Sequence, residues 1–550
     1  MRRLLSAFAS LTLGCTALIV GCATTNDGAD APDQTPPTTH VVYTGPVFVT
    51  HDAAKPTAKA VVVDDKGVIV DVTDDFSAYP QSQVKKLDGA LAVPGLHDAH
   101  AHIEGVGKAL EQVDLRGCTS TDDLKQRIVD FLAAHPDVSS VQGRGWDQSL
   151  FADKQFPTAA VLDGVTDKPI LVRRVDGHAA LANRVLLDAM GVTPDTTDPD
   201  GGRFIRGDDG APSGVLVDNA MDGAYDKLPK PSHDDHKRWL RLSMERAKSF
   251  GLTAVHDMGM SLATYKALLE LDAEGDLPVR LFVYLYGPEE GALQAALDAK
   301  DGKRVKVMGL KYLMDGAMGS RGAALLAPYD DEPTTTGLLT ADKEHLKATL
   351  AKLDAAGKQI AVHAIGDAAN RHVLDVVEQA KPQSSTVRHR IEHAQLVHAD
   401  DFKRFAQLKV IASMQPTHAT SDMRWVHRRV GEERAKGAYA WRTMLQHNVP
   451  LAFGSDAPVE SIDVRKGLYA ATLRQDAEGQ PEGGWMPHQR VTSDEALAAF
   501  ALGAAFAAHE DDLGAFKPGM RFDATLFAAD VRNTPKQWLT VDVSGTLLAK

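Results

Sequence analysis

Eight segments of strand character recur along the chain, at 91–102, 252–258, 279–286, 305–314, 359–364, 388–394, 409–415 and 450–455. Segments with helical patterning fall between most of them, as at 261–274, 342–356, 367–379 and 399–408. Strands that alternate with helices pair in parallel, because each helix carries the chain back to the end where the previous strand began. Eight such units close a parallel sheet on itself, so the expected fold is α/β, a (β/α)8 TIM-like barrel. The interval from 103 to about 250 is too long for one strand-to-helix connection and predicts an inserted subdomain.

The two ends of the chain read differently. Short β-rich runs at 41–43, 60–63 and 67–70 are matched by others at 523–527, 539–543 and 546–548. They predict a small β-sandwich domain built from 41–93 and the C-terminal part of 488–550, flanking a barrel over 94–487. A chain of 550 residues exceeds one ordinary core, which fits a barrel with an accessory domain.

Residues 1–21 read as a lipoprotein signal peptide. Arg2 and Arg3 precede an apolar stretch over 4–20, and Leu18-Ile19-Val20-Gly21-Cys22 resembles a bacterial lipobox, with Cys22 the lipidation site. A plain secretory signal is the alternative. Residues 22–40, rich in Thr, Asp, Ala and Pro, read as a flexible tether. Residue 23 is Ala rather than Asp, which by resemblance to Gram-negative lipoproteins implies an outer-membrane anchor facing the periplasm. After lipidation Cys118 is the last free thiol, so no internal disulfide is expected. A net charge of −14 opposes a non-specific nucleic-acid role, which needs a basic face. The expected partners are a small-molecule substrate and a membrane met only through the lipid; a homo-oligomer is left open.

The sharpest local feature is Pro94-Gly95-Leu96-His97-Asp98-Ala99-His100-Ala101-His102. Residues two apart on a strand share a face, so His100 and His102 present two imidazoles side by side. They fall at the C-terminal end of a strand, where barrel enzymes build their sites. Three later residues strengthen the pattern. His363 ends Ile360-Ala361-Val362-His363, His393 ends Arg390-Ile391-Glu392-His393, and Asp456 follows Leu451-Ala452-Phe453-Gly454-Ser455. In a closed barrel those ends converge, and the donors suit one or two divalent ions, Zn2+ foremost.

This set resembles the amidohydrolase superfamily, in which the first strand supplies His-x-His, the fifth and sixth one His each, and the eighth an Asp. Gly145-Trp146-Asp147, Arg174-Val175-Asp176-Gly177-His178, Met314-Asp315-Gly316-Ala317-Met318-Gly319-Ser320-Arg321 and His363-Ala364-Ile365-Gly366-Asp367 are similar to its YtcJ/AepA-like branch, which includes N-substituted formamide deformylases. The resemblance implies a further ligand on the fourth strand, and Lys311 stands there. An ammonium has no lone pair; carboxylated by CO2, the side chain becomes a carbamate that bridges two metals in several branches. A Lys paired with a carboxylate such as Asp315 is the alternative.

The expected function is metal-dependent hydrolysis of a non-aromatic, amide-type C–N bond by activated water. Asp456 would serve as metal ligand and as the base that moves a proton to the leaving nitrogen. His178 or His418 would help to stabilise the oxyanion. Trp146, Asp315 and Arg321 are the candidate substrate-binding residues, with a core Trp and a structural salt bridge as the alternatives. Asp98 shares the face of the His pair and would orient it. Deamination of an aminated heterocycle is a second reading. Superfamily deaminases carry a Glu near the fifth-strand His, whereas here Ala364-Ile365-Gly366-Asp367 follows. A metal- or ligand-binding lipoprotein without turnover is a third, and a complete ligand set with a candidate base argues against it.

Overall fold

A computed structural model describes residues 40–549, apart from 175–178, 200, 276, 383 and 385. Cys22, residues 23–39 of the tether and His178 therefore lie outside the described residues. Eight strands pair in parallel in the order of the chain: Leu96–Ala101, Leu252–Met260, Arg280–Tyr286, Val305–Leu313, Gln359–Ala364, Arg390–His393, Ile411–Met414 and Leu451–Phe453. They are numbered here as the first to eighth barrel strands. Helices Leu262–Glu274, Lys343–Ala355 and Asp367–Ala380 follow the second, fourth and fifth strands. The strands are buried almost throughout, as expected where both faces of a parallel sheet are covered.

The last strand meets the first through the segment just beyond it. His102 N donates to Ala457 O at 2.7 Å and Asp456 N to His100 O at 2.6 Å. Asp98, buried in the first strand, accepts from Ser455 N at 2.9 Å and from its hydroxyl, which ties the two edges together. Gly454 makes this approach possible: a Cβ there would lie 2.4 Å from His100 N and 2.8 Å from Asp98 Oδ1.

The two ends of the chain meet in one seven-stranded sheet. Its C-terminal strand Ala524–Phe527 pairs antiparallel with Leu91–Pro94. The sequence reading of 91–102 as one strand is corrected here, since it is two. Leu91–Pro94 belongs to the terminal sheet and Leu96–Ala101 to the barrel. Of the two strands expected at 539–543 and 546–548, the described residues form one, Val543–Leu547, and Pro535–Leu539 before it is a short 3-10 helix, started by its proline.

The 103–250 interval holds a six-stranded sheet of its own, whose central strands are Val141–Trp146, Ile170–Arg174, Ala179–Ala182 and Pro212–Asp218. Helices Ile103–Leu110 and His233–Ser249 join it to the barrel and pack on each other. Among the described residues no helix is long and apolar enough to cross a membrane.

Gly454→Ala should force the first and eighth strands apart beside Asp98 and His100. Overpacking of this kind costs about 1–3 kcal/mol. Calorimetry should show a lowered Tm, and an unchanged Tm would mean that the closure is looser than the geometry requires.

Candidate metal centre

His102, Lys311, His363, His393, His418 and Asp456 line one cavity of about 590 Å3 at the C-terminal ends of the barrel strands. His100, fully buried, stands directly behind them, its ring 4.8 Å from that of His393. The strand period delivers His100 and His102 to one side, and their Nε2 atoms lie 3.3 and 3.2 Å from the same oxygen, Asp456 Oδ1. His393 and Asp456 arrive by another route. Both adopt left-handed backbone, with φ of 71° and 60°. For non-glycine residues this costs on the order of 1–3 kcal/mol, and such strain gathers at functional sites. At His393 it breaks the alternation of the sixth strand, so that Glu392 and His393 both face the interior.

Glu392 is the principal residue that the sequence reading did not single out. His100 Nδ1 and Glu392 Oε2 are 2.7 Å apart. The Arg390 guanidinium binds both oxygens of Glu392 and also the Ala99 carbonyl, the Ser413 hydroxyl, the Tyr284 hydroxyl and His256 Nδ1. Burial opposes an ionised Glu392, but Arg390 and the His100 hydrogen bond overcome it and hold its pKa down at about 2. An ionised carboxylate accepts, so His100 carries its proton on Nδ1 and offers the Nε2 lone pair to the cavity. Gln415 Oε1, 2.8 Å from His393 Nδ1, does the same for that ring. Period two on the sixth strand, which places Arg390 and Glu392 on one face, was the signal that could have found this pair.

Burial, with the positive groups around them, favours neutral rings at His102, at His363, which is lowered to about 3, and at His393, which is lowered well below its ordinary value, whereas at His100 the Asp456 and Glu392 carboxylates outweigh burial and raise it. Burial alone would raise Asp456; the His100 and His102 imidazoles outweigh it and hold the carboxylate ionised. Burial pushes the Lys311 ammonium down. His363 lines the cavity edge-on to His393, with centroids 4.5 Å apart, and its Nε2 lies 3.5 Å from Gly316 O.

A metal fits these residues. His100 Nε2 and His418 Nε2 are buried without a hydrogen-bond partner. His100, His102 and Asp456 form one set, and His393, His418 and Asp456 another, each with ligand atoms within 4.8 Å of one another. Neutral imidazoles with a shared carboxylate are the donor set of zinc-class divalent ions.

The sequence model of the Amidohydrolase family matches residues 83–549. The chain belongs to the amidohydrolase superfamily. It is 31% identical to YtcJ of Bacillus subtilis (strain 168), over 82% of this chain and 86% of YtcJ. It is 25% identical to N-substituted formamide deformylase of Arthrobacter pascens, over 88% of this chain and 92% of the deformylase. A solved metal-dependent hydrolase from Pyrococcus horikoshii OT3 superposes with a TM-score of 0.75 at 27% identity, covering 88% of this chain and 96% of that one. Family, fold and ligand geometry agree: this is a metal-dependent hydrolase of the YtcJ/AepA-like branch.

Three sequence candidates do not reach the cavity. Trp146 is fully buried in the core of the inserted sheet, its Nε1 donating to Val172 O at 2.7 Å. Arg321 is committed to Asp331, with both contacts at 3.1 Å. Asp315, buried, accepts from Ala324 N, Ile365 N and Gly366 N and lies 3.5 Å from His363 Nε2 just behind the cavity, and it makes no ion pair with Lys311. Asp98 accepts from the backbone amide of His100 at 3.0 Å, so it fixes the strand and not the imidazole.

Glu392→Gln should cost about 3–5 kcal/mol of stability, because it strands the Arg390 charge in the barrel. It should also weaken metal binding by about 10–100-fold through the loss of His100 orientation. The carboxylate is depressed from 4.5 to about 2, so its contribution is fully present above pH 4.5 and is lost as pH falls towards 2. Chemical denaturation across that range, with metal titration at neutral pH, checks both; a variant as stable as the parent, with undiminished affinity, would show the pair to be incidental.

Proposed function

We propose that the chain hydrolyses an amide-type C–N bond, other than a peptide bond, in a small molecule. One observation carries the reading: an ionised Asp456 carboxylate is shared by two imidazole sets at the floor of a substrate-sized cavity. The relative that is an N-substituted formamide deformylase supports the bond type. His100, His102, His363, His393 and Asp456 would hold one or two divalent ions, zinc in this reading, with Lys311 beside them. When bound, such an ion lowers the pKa of water and polarises a carbonyl.

Asp456 accepts the proton of the attacking water on a carboxylate oxygen and passes it to the leaving nitrogen. In this reading His418, whose Nε2 is buried and unpartnered 3.6 Å from Asp456 Oδ2, would stand beside the ligands and donate to the oxyanion instead of binding an ion itself. His178 retains the same role as an expectation from the sequence. Lys311 is buried, which favours its neutral amine. That amine can add to CO2 and lose one proton, giving a carbamate that supplies a further anion to a pair of cations.

Asp456→Asn should lower kcat/KM for amides by about 10²–10⁴-fold. Chelator-treated protein should lose activity and regain it with zinc. Elemental analysis should find two metals per chain, fewer in Lys311→Ala. Full activity in Asp456→Asn, or in stripped protein, would remove the metal-hydrolase chemistry from this site.

We further propose that residues 1–21 are removed and that Cys22 carries the lipid, which anchors the enzyme in the outer membrane facing the periplasm. Cys22→Ser should abolish incorporation of labelled palmitate and release the protein from the membrane fraction. Lipid label that survives the substitution would sink the assignment.

A further inference from the structure

We infer that the cavity selects its substrates by charge, taking amides that carry a cationic amine on one side of the reacting bond and an apolar group on the other. The identity of the bond rests on the amide reading above; the charge preference stands on the cavity wall alone.

The wall has two unlike halves. Met258, Tyr286, Leu313, Met318 and Ile365, carried on or just after the second to fifth barrel strands, make one half apolar. Tyr286 and Leu313 are each 40% exposed, so this half continues to the rim. Asp422 and Glu460, which follow the seventh and eighth strands, put two carboxylates on the other half, beside Gln395, Trp425 and Val459. Their carboxylates are held in place. Asp422 Oδ2 accepts from Gln395 Nε2 at 3.0 Å and from the Tyr439 hydroxyl. Glu460 Oε1 accepts from the Ser421 hydroxyl at 2.5 Å. Both Asp422 bonds end on Oδ2, and among the described residues none donates to Oδ1.

Among the described residues no guanidinium answers these carboxylates. Arg321 and Arg429 both bind Asp331, and Arg424 binds Asp476. Among the described lining residues Lys311 is the one lysine or arginine, and it stands with the metal ligands. A substrate with a free carboxylate would bring like charge against Asp422 and Glu460 in a partly desolvated site, where repulsion is strong. An ammonium would instead gain charge-assisted hydrogen bonds there. Burial raises the pKa of Asp422, and a cation beside it would offset that desolvation.

Three amides of similar size test the inference: N-hexanoylputrescine, cationic; N-hexanoylpentylamine, neutral; and N-hexanoyl-γ-aminobutyrate, anionic. With metal-replete protein, kcat/KM should fall in that order, the cationic compound exceeding the anionic by roughly tenfold or more, the scale of a hydrogen bond to a charged group. Glu460→Gln should shrink the cationic-to-neutral ratio by about fivefold, in keeping with a partly exposed charge. Asp422→Asn should do so more strongly, but Asp422 also holds Tyr439, so Glu460→Gln is the variant that keeps the test clear of misfolding. Calorimetric binding of the three compounds should give the same order whether or not they are turned over. If none is cleaved yet the cationic one binds tightest, amide hydrolysis fails and the charge preference stands. If all three are cleaved with equal kcat/KM, if the order reverses, or if none binds, the charge preference is overturned.

Discussion

Arg390 and Glu392 set a guanidinium against a carboxylate in the middle of the barrel, both without solvent exposure. Removing two ions from water costs several kcal/mol each, and only excellent geometry with further hydrogen bonds offsets it. Here the geometry is complete. Arg390, on the sixth strand, also reaches groups on the first, second, third and seventh, so one side chain braces five of the eight strands from within. Glu392 spends its remaining capacity on His100. The tautomer of that ring, and with it the direction of a lone pair in the cavity, follows from a charge pair that never meets the substrate.

The rim of the barrel depends on a second set of constraints. The first and eighth strands close through Asp98 and Ser455, with Gly454 allowing the contact. Asp456 then leaves the eighth strand with left-handed backbone and turns its carboxylate towards His100 and His102. The strain at Asp456 and at His393 is local, whereas the closure that sustains it is distributed over many hydrogen bonds. A shared carboxylate between two imidazole pairs is therefore a product of barrel closure as much as of the side chains themselves. The same closure brings the carboxylates after the seventh and eighth strands opposite the apolar ends of the second to fifth.

Much of this was legible in the residue order. Periodicity predicts the eight strands and most of the helices, because burial on both faces selects apolar runs and helices select a turn-spaced apolar stripe. Strand ends bearing His100, His102, His363, His393 and Asp456 converge in any closed barrel, so the metal centre needed no coordinates to be expected. Motif likeness was less reliable. Trp146 and Arg321 sit in segments similar to the family's, yet one packs the inserted core and the other pairs with Asp331. A motif says which residues recur together, not which way each side chain faces.

The sequence by itself determined the periods, the turn chemistry and the donor types, since these depend on neighbours a few residues away. It thereby determined the barrel, the insertion and a divalent site. Only the tertiary structure decided that Glu392 and Gln415 orient the imidazoles, that Asp98 serves the closure, and that Asp422 and Glu460 share a wall. These pairings join residues up to 357 positions apart, as from Asp98 to Ser455. No local pattern encodes them, because a hydrogen bond across a barrel is set by where the strands finally lie and by what burial leaves for each polar atom to bond.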